Sequence, residues 1–153
     1  MKIVDWCLSL SLGVTLIPAA HGQMGTIATY KHGQITFTQG GKEATWRLAQ
    51  GAIDTLAGTW MVNLTYAPDA KPERSSLMLT VTRLPADLGG TTDVDRLMVE
   101  RGPAGDATYH TPVAQCKLTI GQLTPAAVEG SGTCTGTFER GPAITKFAFA
   151  AKP

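Results

Sequence analysis

Charge is scarce in this sequence. Only 16% of the 153 residues are charged, and 13 Lys and Arg stand against 12 Asp and Glu, where an ordinary globular domain carries about 25%. With neither sign in excess and no run of like charges, there is no basic face for nucleic acid and no acidic or basic tail. Histidine is scarcer, at three, and no paired-His zinc signature, calcium loop, Gly-rich phosphate loop or nucleophile elbow occurs. These absences remove the motif-bearing enzyme classes, and no cofactor is expected. No repeat and no low-complexity segment is found. Stretches rich in Glu, Lys, Leu and Ala at helical spacing are also missing, so a helix-rich fold is excluded.

The longest uncharged apolar stretch lies near the start. Lys2 precedes Trp6–Ala20, which contains Leu8, Leu10, Leu12, Val14, Leu16 and Ile17, and the small residues Ala19, Ala20 and Gly22 follow. A basic start, a short apolar stretch and a small-residue site form the pattern of a secretory signal peptide. A membrane-spanning helix needs about 20 apolar residues; this stretch is shorter, and Gly13 and Pro18 interrupt it. The expectation is a signal peptide over 1–22, cleaved after Gly22, and a single β-domain over 23–153. Asp5 departs from the pattern by offsetting Lys2. Cleavage would remove Cys7 and leave Cys116 and Cys134, an even pair that reads as a disulfide in an oxidising compartment. The chain is therefore expected to be secreted or periplasmic, and not an integral membrane protein once the signal is removed.

The remainder, with 17 glycines in the whole chain and abundant threonine, reads as short strands broken by Gly, Pro and Asp. Gly40-Gly41 suits a two-residue hairpin turn. Centring the hairpin there pairs Phe37 with Ala44 and Ile35 with Trp46 on one face, and leaves Thr36, Thr38, Thr45 and Arg47 on the other. The spacing of Leu48, Ala49, Ala52, Ile53 and Leu56 suggests a loop with a short helix, stopped at Gly58. Thr59–Tyr66 alternates, with Trp60, Val62, Leu64 and Tyr66 on one side, and so does the strand of Leu77, Leu79 and Val81. Loops are expected over Pro68–Ser75 and Leu84–Asp93, then a strand over Val94–Glu100 and a turn over Gly102–Asp106.

A second hairpin centred on Pro125-Ala126 sets Cys116 opposite Cys134, Leu118 opposite Gly132, Ile120 opposite Gly130 and Gln122 opposite Val128, with Leu123 starting the turn. Its outer face is polar. Gly130 and Gly132 leave space over the strand for another sheet or a ligand. A last strand, Ala143–Ala150, would place Thr145, Phe147 and Phe149 on one face. Eight or so antiparallel strands with one disulfide make a β-sandwich or a small β-barrel.

Candidate chemistry is sparse. Asp93 and Asp95 are the closest carboxylate pair, with Asp87 and Asp106 in neighbouring loops; they read as a solvated strand start, the functional alternative being calcium or acid–base chemistry. His32 precedes Gly33 in an expected turn, and His110 precedes a strand; both read as structural or solvated. Ser131 sits between two glycines on the polar face of a strand, as a structural serine. Asn63-Leu64-Thr65 matches a glycosylation acceptor but falls in mid-strand.

Gly58-Thr59-Trp60 opening a strand resembles the start of the first strand in lipocalin- and avidin-like barrels. That resemblance covers three residues and implies that Trp60 closes one end of a barrel beneath a ligand cavity. The chain departs from those families in having a hairpin, Gln34–Leu48, ahead of the motif. Three functions follow as expectations: a non-enzymatic binding protein with an unknown protein partner, using the loops as its surface; a small barrel carrying a small apolar ligand; and a small hydrolase using Asp93, Asp95 or His110.

Overall fold

The computed structural model describes residues 25–69, 75–84, 90–100, 116–136 and 142–153. Among them there is no helix. Ten antiparallel strands follow in chain order: β1 (Gly25–Tyr30), β2 (His32–Gln39), β3 (Lys42–Leu56), β4 (Thr59–Ala67), β5 (Ser76–Leu84), β6 (Gly90–Asp93), β7 (Arg96–Glu100), β8 (Cys116–Thr124), β9 (Ala127–Cys134) and β10 (Ile144–Lys152). They form one sheet in the order β6-β8-β9-β10-β2-β3-β4-β5-β7, with β1 also paired to β3. Of the two expected arrangements, a β-sandwich or a small β-barrel, the sheet is nearer the second: it curls into a half-barrel. The strand count exceeds eight because Gly25–Tyr30 and Gly90–Asp93 are strands; the latter stretch was expected to be loop.

The two ends of this order are consecutive in the chain. β6 pairs with β8 and β7 pairs with β5. Between them, the Val94 amide donates to the Cys116 carbonyl and the next amide, Asp95, donates to the Thr80 carbonyl. One kinked segment thus joins the first and last strands, with its seam at Val94–Asp95.

The first hairpin has the expected register, Ile35 opposite Trp46 and Phe37 opposite Ala44. Its turn places both glycines at positive φ, 58° for Gly40 and 76° for Gly41, the geometry that matches the strand twist. Phe37 and Trp46 meet edge to face, with ring centroids 5.0 Å apart.

The expected loop or short helix over Leu48–Gly58 is instead a continuation of β3. Ala49 is an extra residue between the pairs Leu48–Tyr66 and Gln50–Thr65. This bulge flips the alternation, so Leu48, Gly51 and Ile53 all face the core. A Cβ on Gly51 would lie 2.9 Å from a Leu64 methyl and 3.1 Å from Tyr30 Cβ; the core leaves no room for a side chain there. Gly58, expected to stop a helix, forms a hairpin turn with Ala57, both at positive φ.

In the second hairpin Cys116, Leu118 and Ile120 face Cys134, Gly132 and Gly130 as expected. Beyond them Gly121 is an extra residue, and Leu123, not Gln122, faces Val128. Proline cannot take the positive φ of the tight hairpin turns, so the Pro125-Ala126 turn goes with a nearby bulge that lets both strands keep their apolar residues inward. A third bulge, at Thr145, separates Ile144–Gln39 from Lys146–Thr38. Ile144 is thereby buried, and Thr145, expected on the face of Phe147 and Phe149, is exposed.

The inner face is one continuous apolar cluster, from Ile35 and Phe37 through Leu64, Tyr66, Leu79 and Leu97 to Phe147 and Phe149. The space over the glycines of β9 is filled from within. A Cβ on Gly132 would lie 2.3 Å from Phe147 Cζ, and one on Gly130 3.1 Å from the Phe149 ring. Cys116 and Cys134 are bonded directly across the strands, with Cα atoms 4.0 Å apart.

Candidate functional site

The outer face of β6, β8, β9, β10, β2 and β3 carries the groove of interest. Register alone aligns its side chains into rows. The first row crosses six strands as Thr91, Thr119, Ser131, Ala148, Thr36 and Thr45. The next crosses β8, β9, β10, β2 and β3 as Lys117, Thr133, Lys146, Thr38 and Glu43. Hydroxyls bond along the first row, Thr36 to Thr45 at 3.0 Å and Thr91 to Thr119 at 3.2 Å.

The groove follows from the sizes of these residues. Ser131 and Ala148, at the middle of the first row, are short, while lysines on either side of Thr133 rise from the second. A twisted sheet is saddle-shaped and so concave along one diagonal. The result is an open hollow of about 560 Å³, lined by residues of both rows. Its floor strands β8, β9, β10 and β2 each have a partner on both sides, so their backbone groups there are engaged. No aromatic ring is exposed in it; Phe37 and Phe147 are 1% and 3% exposed and face the core.

Comparison of the chain with protein-family models, characterised proteins and solved structures finds no match. The groove is therefore read from its own chemistry.

Those of the residues singled out in the sequence that the structure describes lie on β2, β4, β6 and β9 and in the link between β6 and β7. Asp95 is exposed, and its carboxylate accepts a hydrogen bond from the Thr82 amide. Asp93 stands opposite Lys117 in the register. His32 is exposed at the start of β2, after the bend that separates β1 from β2. A Cβ on Gly33 at this bend would lie 2.1 Å from the Ala150 carbonyl oxygen, which explains the glycine there. His110, Asp87 and Asp106 lie outside the described residues, as do 1–24 and most of the Pro68–Ser75 loop. Among the described residues no three of His, Cys, Asp and Glu gather as metal ligands would. Ser131 is exposed in mid-strand. Asn63 donates to Asp54, which also accepts from Thr26. Trp60 is half-buried at the start of β4, packed against the edge of the core.

Two buried phenols are electrostatically distinct. Tyr30 donates to the Thr124 carbonyl at 2.6 Å, and burial pushes its pKa up to about 12. Tyr66 is fully buried, burial raises its pKa further, and its hydroxyl has no hydrogen-bond partner among the described residues.

Sequence reasoning did not single out the groove. It identified Thr36, Thr38 and Thr45 as one face and the outer face of the second hairpin as polar. Their union required the pairing of β10 with both β2 and β9, which is not local in the chain.

Proposed function

We propose that this chain is an exported, non-enzymatic binding domain that recognises its partner through the polar groove across β8, β9, β10 and β2. The observation that carries the reading is the groove itself: two aligned polar rows on strands whose backbones are fully paired, a rigid surface with its chemistry in the side chains. Export rests on the 1–22 pattern, with cleavage after Gly22, and agrees with a cross-strand disulfide, which persists in oxidising compartments. The apolar-ligand carrier has less support because Phe147 and Phe149 occupy the space over Gly132 and Gly130. The hydrolase has less support because the Asp95 carboxylate is engaged by the Thr82 amide.

The test is a binding screen of the full chain and of Ser131→Arg, which fills the groove at an exposed position, against immobilised glycans, peptides and lipid vesicles. The reading expects a class of probe bound by the parent chain and lost in the variant. Equal behaviour of both chains toward every probe overturns it.

A further inference from the structure

We infer that the outer edge of β1 pairs with the same edge of a second copy of this chain, joining two sheets across a two-fold axis. β2 and β1 lie end to end along one side of β3, β2 against Lys42–Arg47 and β1 against Gly51–Thr55. β10 covers the far side of β2 only. It ends at Lys152, opposite His32, where the Lys152 carbonyl accepts from the Lys31 amide. From Tyr30 back to Gly25 no strand among the described residues lies on that outer side. A strand bonds on two sides, so β1 presents an open row of backbone donors and acceptors about 20 Å long. The other ends of the sheet are guarded. β7 starts at the charged, exposed Arg96, the Thr82 amide of β5 is taken by the Asp95 carboxylate, and β6 is only four residues long. β1 is bulged at Ile27 against β3, but it carries neither a charge nor a proline, the usual devices that keep an edge from pairing.

The composition of the edge fits its own copy. About a two-fold axis each residue meets a residue of the same strand, so a charged edge would repel itself; Gly25–Tyr30 is uncharged throughout. An axis between Ile27 and Ala28 sets Thr26 of one copy opposite Thr29 of the other. Both are exposed, and threonines so placed hydrogen-bond across strands. Lys31 falls beyond the paired stretch. The one large apolar side chain exposed among the described residues, Leu56 at 43%, follows Thr55, the register partner of Gly25. It stands at the end of this edge, where a second copy would cover it. One strand pair with its rim is a small interface, so the dimer is reversible and depends on concentration. The edge is separate from the groove, and the two surfaces can be occupied together.

The experiment follows the full chain by sedimentation velocity over a wide range of concentration, with hydrogen exchange read at the same concentrations. The average mass is expected to rise from one copy toward two, and exchange of the β1 amides to slow in step. Thr29→Lys puts a charge in the middle of the edge at an exposed position. It should weaken association about tenfold and leave the melting temperature of the dilute chain unchanged. Ser131→Arg, in the groove, should associate as the parent does, whatever the groove proves to bind. A mass of one copy at every concentration overturns the inference, even where a synthetic Gly25–Tyr30 peptide binds, because the edge would then serve an extended segment of another protein. Association that survives Thr29→Lys, or that leaves β1 exchange unchanged, runs through another part of the chain and overturns it equally.

Discussion

Tyr66 is the residue whose chemistry is least reconciled with its position. Its ring belongs to the core between Leu48 and Leu77, but its hydroxyl is buried with no partner among the described residues. An unsatisfied buried hydroxyl costs about 1–3 kcal/mol, whereas its loss leaves the packing intact. Tyr66→Phe is therefore expected to raise the denaturant midpoint by the equivalent of about 1 kcal/mol, and a lowered midpoint would show that the hydroxyl is satisfied. A pH dependence follows from the same residue. Burial raises the pKa of Tyr66, and of Tyr30, above the ordinary value of 10. The folded state keeps these protons after the unfolded state has released them. Stability is thus full below pH 10 and falls above it, by about 1.4 kcal/mol per pH unit for Tyr66. Urea melts at pH 9, 10 and 11 test the sign, and Tyr66→Phe should flatten the decline.

At the scale of elements, the bulges decide which faces the strands present. Three of the five register shifts write the same local pattern: Leu48 and Gly51, Ile120 and Leu123, and Ile144 and Phe147 are inward pairs three residues apart with two exposed residues between. Three is also a helical spacing, which is why the sequence of Leu48–Leu56 reads as a helical turn and Leu123 reads as the start of a turn. Where alternation is unbroken, as over Ile35–Phe37, Trp60–Tyr66 and Leu77–Val81, the sequence reads directly as strand and face. The bonded cysteines and the glycine turn were legible for the same reason, since each is a local constraint on register. The groove was not, because β10 meets β2 across more than a hundred residues and no local pattern encodes that pairing. The β9–β10 contact carries its own prediction. Gly132→Ala would drive a methyl into the Phe147 ring and against the Lys117 carbonyl oxygen, 2.6 Å away. It should destabilise by about 1–3 kcal/mol, as overpacking does. The same substitution at Gly41, where the added atom would meet nothing within 4 Å, carries only the backbone cost of its positive φ. A midpoint for Gly132→Ala equal to the parent's would contradict the packing of Phe147 described above.

For the whole molecule, the decisive feature is the seam. Val94 and Asp95 hydrogen-bond to strands at opposite ends of the sheet order, and the Asp95 carboxylate adds a bond to the Thr82 amide. The disulfide is anchored at the same place, because the carbonyl that receives the Val94 amide belongs to Cys116. Reduction should lower stability by about 3 kcal/mol in the chain-entropy model for a loop of this size. Asp95→Ala should lower it by about 1–2 kcal/mol, through the loss of a charge-assisted bond. It should also speed hydrogen exchange at Thr82 more than at Leu64 in the centre of the sheet; uniform acceleration would show that the seam does not open by itself.

The place of β10 in the sheet order has a kinetic consequence. It is the last strand in chain order, yet it lies between β9 and β2 and joins the hairpin of β8 and β9 to the meander of β2, β3, β4 and β5. Until it emerges from the ribosome, β9 and β2 each lack a partner on one side, and the sheet cannot be completed. On a nascent chain of this topology the sheet therefore stays incomplete until residue 152 has been made.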